Sequence, residues 1–590
     1  DKLIDDNIRH QIEAYWSPKI CNQKPAKTLK NPENHYVLSM FPYPSGALHM
    51  GHVRVYSISD SVSRFHKMRG KNVLHPMGWD AFGLPAENAA LERNISPATW
   101  TMSNIDRMKR QFVRMGCDFD WNREIKTCDP EYYKWTQALF LKLFKRNLAY
   151  QKESYVNWDP VDKTVLADEQ VDKNGCSWRS GAKVEKKLLK QWFIRTTAFS
   201  ESLFKGLDDS ILKEWRDIIK IQKHWIGEPT GTSMDFEIVP GTIGSADVPR
   251  NLNIWTDKPA FVDNIKFIAV SKDNFLAKLE AEQPGTESFH KVLDAKVINP
   301  FTKEHIPIYF TNMIEFPRSR DTFVGIPGAC ETSNNFWEQL GNDVPVLNLT
   351  SEAVDEKTQK TMEQARNMNI GGFKVSENLR DWLISRQRYW GTPIPIVHCN
   401  SCGTVPVPEE QLPVMLPPIK GDDFKLQNLK NSQEFLDVPC PNCGSPAMRE
   451  SDTMDTFVDS SWYFLRYTDP HNDKEMFSKE KAEEFLPVNL YIGGKEHAAL
   501  HLYYARFINH FLHSEGLVPT REPFRQLLVQ GMVMGRSFRK KGSGQYLKND
   551  EVEKAGKNWV ERESKTPVVA TWEKMSKSKH NGVDPEDMFA

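Results

Sequence analysis

The residues best suited to chemistry lie near the two ends of the chain. His49-Met50-Gly51-His52 follows a short apolar run and a proline-rich turn, and it opens a helical pattern. A helix N-terminus offers unpaired N–H groups and the positive end of the helix dipole, so it receives phosphate. Two imidazoles at that turn can both donate to phosphate oxygens, and Gly51, having no Cβ, lets a base or ribose approach the backbone. The plainer alternative is that the histidines only cap the helix. Further on, Lys574-Met575-Ser576-Lys577-Ser578 sets two lysines around small polar residues, with Asn581 and Gly582 close by. Such a loop can close over a triphosphate and neutralise charge that builds on departing pyrophosphate. A solvated basic loop is the commoner fate of that spacing.

Nine cysteines are present. Cys21, Cys117, Cys128, Cys176 and Cys330 are scattered, which does not resemble a secreted disulfide framework. Cys399-x-x-Cys402 and Cys440-x-x-Cys443 form two tight pairs, each followed by a glycine. Four thiolates in this zinc-ribbon form suit tetrahedral Zn2+ in a closed structural site. Four reduced cysteines folded without metal are the alternative.

These groups must be held by several domains, because 590 residues are too many for one core. Hydrophobic residues make up 39% and charged residues 26%, as in ordinary soluble proteins. No apolar run approaches the ~20 residues a membrane helix needs, and the charged start, Asp1–His10, lacks a signal-peptide core. Net charge is −1, so nucleic-acid binding would rest on local patches. Lys183, Lys186, Lys187 and Lys190 form one basic cluster, and Arg536, Arg539, Lys540 and Lys541 another. Either can equally be a solvated face.

The run Tyr36–Phe41 reads as a buried strand, broken by Pro42, Pro44 and Gly46. Val55, Ile58, Val62 and Phe65 recur at helical spacing, Gly70 closes the stretch, and Asn72–Leu74 reads as a second strand. Strand, turn, helix, strand predicts an α/β, Rossmann-like parallel sheet. The predicted layout divides the catalytic domain among residues 1–226, 371–396 and 451–535, with the lysine loop in 572–590. A β-rich domain is inserted at 227–370 and a cysteine ribbon at 397–450. Residues 536–571, polar and glycine-spotted, read as a mobile insert.

The two signatures, in this order, resemble those of class I aminoacyl-tRNA synthetases, and the chain is similar to leucyl-tRNA synthetases, mitochondrial ones above all. The segments that carry the resemblance are MFPYPSGALHMGH (Met40–His52), HPMGWDAFGLPAENAA (His75–Ala90), RDWLISRQRYWG (Arg380–Gly391), DTMDTFVDSSWY (Asp452–Tyr463), YIGGKEHAALH (Tyr491–His501), LLVQGMV (Leu527–Val533) and KMSKS. The block Asp452–Tyr463 is the most specific. The resemblance implies activation of leucine by ATP with Mg2+, then transfer to the terminal ribose of tRNA(Leu). It implies that His49, Gly51, His52, Gly493, Glu496, Gln530 and Lys577 hold ATP. Lys574 and Lys577 would stabilise the transition state. Met40, Phe41, Tyr43 and His501 would line the leucine pocket, and Asp80 would grip the substrate ammonium.

Segment 227–370 matches the family's editing domain. Its loop retains Thr256, followed by Asp257 and Ala260, and Ser333 stands where the family carries an aspartate, so editing is expected to be silent. A second family ribbon near 157–180 keeps only Cys176, with Ser180 nearby, and no metal is expected there. The chain stops at Ala590, and the family's anticodon-binding domain is absent from it. The resemblance points to the mitochondrial matrix, with cytoplasm as the alternative, and to a monomer. Competing readings are an RNA-binding scaffold, as in splicing, built on a dead synthetase body, and a leucine sensor. Intact His49, His52, Lys574 and Lys577 argue against a dead site.

Overall fold

The run Asn34–Ser39 is apolar on both faces, as a strand covered from both sides must be. In the computed structural model of the chain it is an inner strand of the predicted parallel sheet, with Tyr36, Val37 and Leu38 fully buried. The structure describes residues 5–21, 32–161, 164–166, 171–172, 174–177, 180–241, 248–280, 290–316, 320–347, 350–418, 429–497, 499–531, 533–541, 544–556, 558–575, 579–583 and 585. It comprises two compact units, one of residues 1–138, 209–218 and 388–590, the other of 139–208 and 219–387. No helix among the described residues is long and apolar enough to cross a membrane.

The first unit is organised by β1 (Asn34–Ser39), α1 (Met50–Met68), β2 (Asn72–Leu74), β3 (Leu490–Gly494), α2 (Leu500–Ser514) and β4 (Leu527–Gln530). The strands lie in the order β2-β1-β3-β4, all parallel. Val37–Ser39 pair with Leu490–Ile492, and Tyr491–Gly494 with Leu527–Gln530. Val55, Ile58 and Val62, spaced as the sequence requires, lay α1 onto Val37, Leu490 and Ile492.

Helix α2 is buried along almost its whole length. Its anchor is ionic. The Arg506 guanidinium makes two 2.7 Å bonds to Glu522, and His510 meets the same carboxylate at 2.9 Å. Burial alone would raise the Glu522 pKa, but Arg506 and His510 outweigh it and hold it at about 2.

The described residues within 536–571 carry regular structure. They lie in a five-stranded antiparallel sheet: β5 (Met534–Lys540), β6 (Tyr546–Leu547), β7 (Val552–Ala555), β8 (Asn558–Glu561) and β9 (Pro567–Lys574), ordered β6-β5-β9-β8-β7. Phe538, Leu547, Val552 and Val568 make a small core with Trp559 and Ala570. Phe538, Leu547 and Val552 adjoin charged residues, which masked the alternation.

The second unit contains a seven-stranded sheet drawn from residues 231–375. Its core includes Met234, Phe236, Ile254, Ile268, Val297 and Ile308. The polar helix Ser351–Asn367 turns Thr361, Met362 and Ala365 inward. Strands Ala149–Asp159 and Glu185–Ile194 pair antiparallel within the same unit, which therefore begins earlier than the texture change near residue 227.

Candidate active site

The C-terminal ends of β1, β3 and β4 bring the first set of residues together, as open parallel sheets do. Beyond Ser39 the chain turns: Met40 N–H donates to Ile492 O (3.0 Å), and Tyr56 O–H of α1 donates back to Met40 O (2.9 Å). His49 caps α1 with extended backbone. Its Nδ1 accepts from Gly51 N–H at 3.0 Å, while its own N–H donates to His52 Nδ1 at 3.1 Å. A ring nitrogen that accepts carries no proton, so both neutral imidazoles are protonated at Nε2. The cap thus sets the tautomer in which Nε2–H is the donor.

A Cβ at Gly51 would stand 2.7 Å from His49 Cε1, so the glycine makes room for the capping ring. Gly493 is similar: a Cβ would collide with the Met40 side chain. Glu496 lies in the short turn Lys495–His497 after β3. Gln530 ends β4 opposite Gly494, and its Oε1 is buried without a hydrogen-bond partner.

Lys574 ends β9, paired with Met534. Met575 N–H donates to Val533 O (2.9 Å), and Met50 N–H at the start of α1 donates to Val583 O (3.2 Å). Between these ties sits Asn581, buried, with Nδ2 2.8 Å from Ser537 Oγ, 3.2 Å from Lys574 O and 3.4 Å from both Gly535 O and Glu573 O. Lys577, with Ser576 and Ser578, lies outside the described residues.

The amino-acid residues form a second group in the same unit. Asp80 is buried, and its Oδ1 has no hydrogen-bond partner. Burial first, and the Asp459 charge second, push its pKa well above the usual carboxylate range, against hydrogen bonds from Tyr43 and Thr127. Thr456 also hydrogen-bonds Tyr43, and Asp455 adds charge of the same sign as Asp459. Burial raises Asp459 itself to about 7, although Thr392 donates to its Oδ1 at 2.7 Å. Phe41 stacks on Tyr463 with ring centroids 3.9 Å apart. Tyr463 O–H donates to Tyr491 (3.1 Å), which bonds His501 Nε2 at 2.7 Å. Burial depresses the His501 pKa to about 3, so this imidazole is neutral. Tyr463, Tyr491, Thr456, Asp455 and Asp459 were not predicted individually, although four of those positions lie in the specific block Asp452–Tyr463 and the fifth, Tyr491, opens a quoted segment.

The family model for class I tRNA synthetases (I, L, M and V) matches residues 11–228 and 344–555. The mitochondrial leucine–tRNA ligase of Saccharomyces paradoxus is 44% identical, with 98% of this chain and 71% of that protein aligned. The chain belongs to the class I tRNA synthetases, among the leucine–tRNA ligases. A probable mitochondrial leucine–tRNA ligase of Pongo abelii is 48% identical across 98% of this chain, and the chain spans 66% of that relative's length. Among solved structures, an Agrobacterium radiobacter LeuRS in ternary complex with tRNA and LeuAMS is similar at 35% identity and a TM-score of 0.66. That match covers 90% of this chain and 67% of the other.

The family model leaves out residues 229–343 of this synthetase. There, Thr256 Oγ1 accepts from Lys258 N–H (3.0 Å), Asp257 is exposed and pairs with Lys258 (3.2 Å), and Ala260 is buried. Ser333 is fully buried, its hydroxyl bonded to Ile326 N–H (3.1 Å) and to Cys330 Sγ (3.0 Å). Glu331 is exposed at the first turn of the helix Glu331–Gln339. In the region 157–180, Ser180 O–H bonds Asp159 (2.6 Å), and Asp172 accepts from Asn174 and Cys176 N–H groups.

The synthetase's ribbon is a four-stranded sheet of Ile396–Cys399, Gly403–Pro406, Asp437–Pro439 and Pro446–Arg449. Its two knuckles bring the sulfurs of Cys399, Cys402, Cys440 and Cys443 within 4.8 Å of one another. Cys399 and Cys443 sulfurs lie 3.6 Å apart, close to the ~3.8 Å edge of a tetrahedron with 2.3 Å Zn–S bonds. Gly403 and Gly444, both with φ of 73°, turn the chain back after each pair. The four residues fit zinc.

Proposed function

We propose that this chain is the catalytic body of a leucine–tRNA ligase. The observation that carries the reading is Asp80, a buried carboxylate with an orphaned oxygen, crowded by Asp455 and Asp459 in the unit that also fixes two Nε2–H imidazoles at a helix N-terminus. Three acidic groups around a buried oxygen call for a cation, and the ammonium of an amino acid supplies one. Stacked Phe41, with Met40, Tyr43 and neutral His501, offers an uncharged wall to an aliphatic side chain.

The leucine carboxylate attacks the α-phosphorus of ATP, an O–P bond forms, and pyrophosphate leaves. The substrate carboxylate is already ionised, so no general base is needed; catalysis is positioning plus charge neutralisation. His49 and His52 donate to phosphate oxygens, Lys574 and Lys577 meet the developing charge, and Gly493, Glu496 and Gln530 receive the nucleoside. ATP arrives with Mg2+. The terminal ribose hydroxyl of tRNA(Leu) then takes the leucyl group, and AMP leaves. Zinc in the ribbon is structural. The editing-like domain is silent, because the hydroxyls of Thr256 and Ser333 are engaged by backbone amides and a serine supplies no negative charge where the family carries an aspartate. Mitochondrial relatives support a matrix location, and we read the protein as a monomer.

The test is ATP–pyrophosphate exchange with leucine, isoleucine, valine, methionine and norvaline. Exchange dominated by leucine is expected. No exchange with any of them in a longer, folded chain would overturn the reading.

A further inference from the structure

We propose that the sheet β5–β9 carries a stacking site for an unpaired nucleotide of RNA. On the face that buries Phe538, Ala570 and Val568, the next cross-strand pair is Arg536 opposite Trp572. The Arg536 guanidinium lies 5.6 Å from the Trp559 ring and 5.3 Å from the Trp572 ring. Trp559 is rooted in the core against Phe538 (4.7 Å), whereas Trp572 is 63% exposed. These residues, with Lys554, Asn558 and Thr571, line a cleft of about 460 Å3. That is room for a base and its ribose.

Charge selects the occupant. The whole chain has a net charge of −1, yet residues 534–574 hold ten Lys and Arg against six Asp and Glu. Three other cations of the segment are neutralised: Arg539 by Glu573, Lys540 by Glu561, Lys565 by Glu553. Among the described residues, the two that face the cleft, Arg536 and Lys554, form no ion pair. An exposed indole beside two uncompensated cations is the combination that binds single-stranded nucleic acid. The ring takes a base face, and the cations take phosphate. Asn558, within the cleft, adds a polar side chain that can bond a base edge.

The inference leans on the ligase reading only for the identity of the RNA, which would be an unpaired stretch of the tRNA. Fluorescence anisotropy with labelled tRNA(Leu), and with an unstructured oligoribonucleotide, tests it without ATP or leucine. Trp572→Ala should weaken both about 5- to 100-fold, the range for loss of one stacked base, and Trp572→Phe should keep most of the affinity. Arg536→Ala should weaken binding and lower the slope of log affinity against log salt by about one. Leucine-dependent pyrophosphate exchange, run without RNA, should be the same in all variants. Exchange absent in the parent chain, with these losses present, would overturn the ligase reading and leave the stacking site standing. Unchanged RNA affinity in Trp572→Ala overturns the site. Loss in Arg536→Ala alone also overturns it, since that marks a plain charge patch.

Discussion

Asn581 ties down the lysine loop, and removing its amide is a sharp test of how that loop works. The side chain is buried and has two amide protons, facing Ser537 Oγ at 2.8 Å, Lys574 O at 3.2 Å and two further carbonyls at 3.4 Å. Asn581→Ala leaves at least two buried oxygens without a donor, at about 1–3 kcal/mol in the docked state. If the loop must be docked for Lys574 and its neighbour Lys577 to meet the pyrophosphate, that cost falls on the transition state and lowers kcat for exchange about 5- to 100-fold. Leucine KM should hold, because Asp80 and the Phe41–Tyr463 stack are untouched. Asn581→Asp keeps the shape but sets a carboxylate against carbonyl oxygens, and should do at least as much harm. Initial rates of ATP–pyrophosphate exchange at saturating leucine, alongside a melting curve for each variant, make the measurement. An Asn581→Ala enzyme with exchange within twofold of the parent would refute the reasoning.

Four further outcomes are expected. Glu522→Gln strips the buried Arg506 of its counter-charge and should destabilise the first unit by about 3–5 kcal/mol, read by urea unfolding; an unchanged midpoint argues that water reaches the pair. Below about pH 4 acid should destabilise the fold. His501, held at about 3, is depressed from 6.5, so the stability it contributes is still being lost there, and Glu522, held at about 2, loses its own as pH falls below 4.5. Asp80 and Asp459, both raised, oppose these losses only at higher pH. Urea midpoints between about pH 4 and pH 2 check this, and a midpoint that rises over that range contradicts it. Elemental analysis of chelator-free protein should find one zinc per chain, lost in Cys402→Ser, with residues 396–449 then open to protease; zinc-free native protein counts against the ribbon. Full-length enzyme should hydrolyse isoleucyl-tRNA no faster than buffer does, and a tenfold excess would show that the editing-like domain is active.

What the sequence disclosed was whatever depends on neighbours in the chain. The βαβ unit, the two histidines, the lysine loop and the cysteine knuckles are local patterns, and β2 and the helix at Met50–Met68 lie where periodicity puts them. What it hid depends on distant partners. Asp455 and Asp459 matter because folding sets them beside Asp80, more than 370 residues earlier in the chain. Nothing in the residues flanking Gly51 reveals that His49 folds back over it. The small core within residues 536–571 was hidden because their apolar positions are few, and only the pairing of β5 with β9 gathers them.

The placement of β1 also dictates when the protein can become itself. Tyr36 N–H bonds the side chain of Asn489, 453 residues further along, and Tyr36 O–H reaches Phe464 O. At roughly 5–20 residues per second, a nascent β1 waits on the order of 20–90 s for the strand that covers its edge. During that interval Val37 and Leu38 sit in an open, sticky edge of the kind that seeds misassembly. The seven-stranded sheet of the second unit is translated wholly inside this gap, and its strands pair with one another. It can therefore fold on the ribosome while the nucleotide site is still two separate fragments.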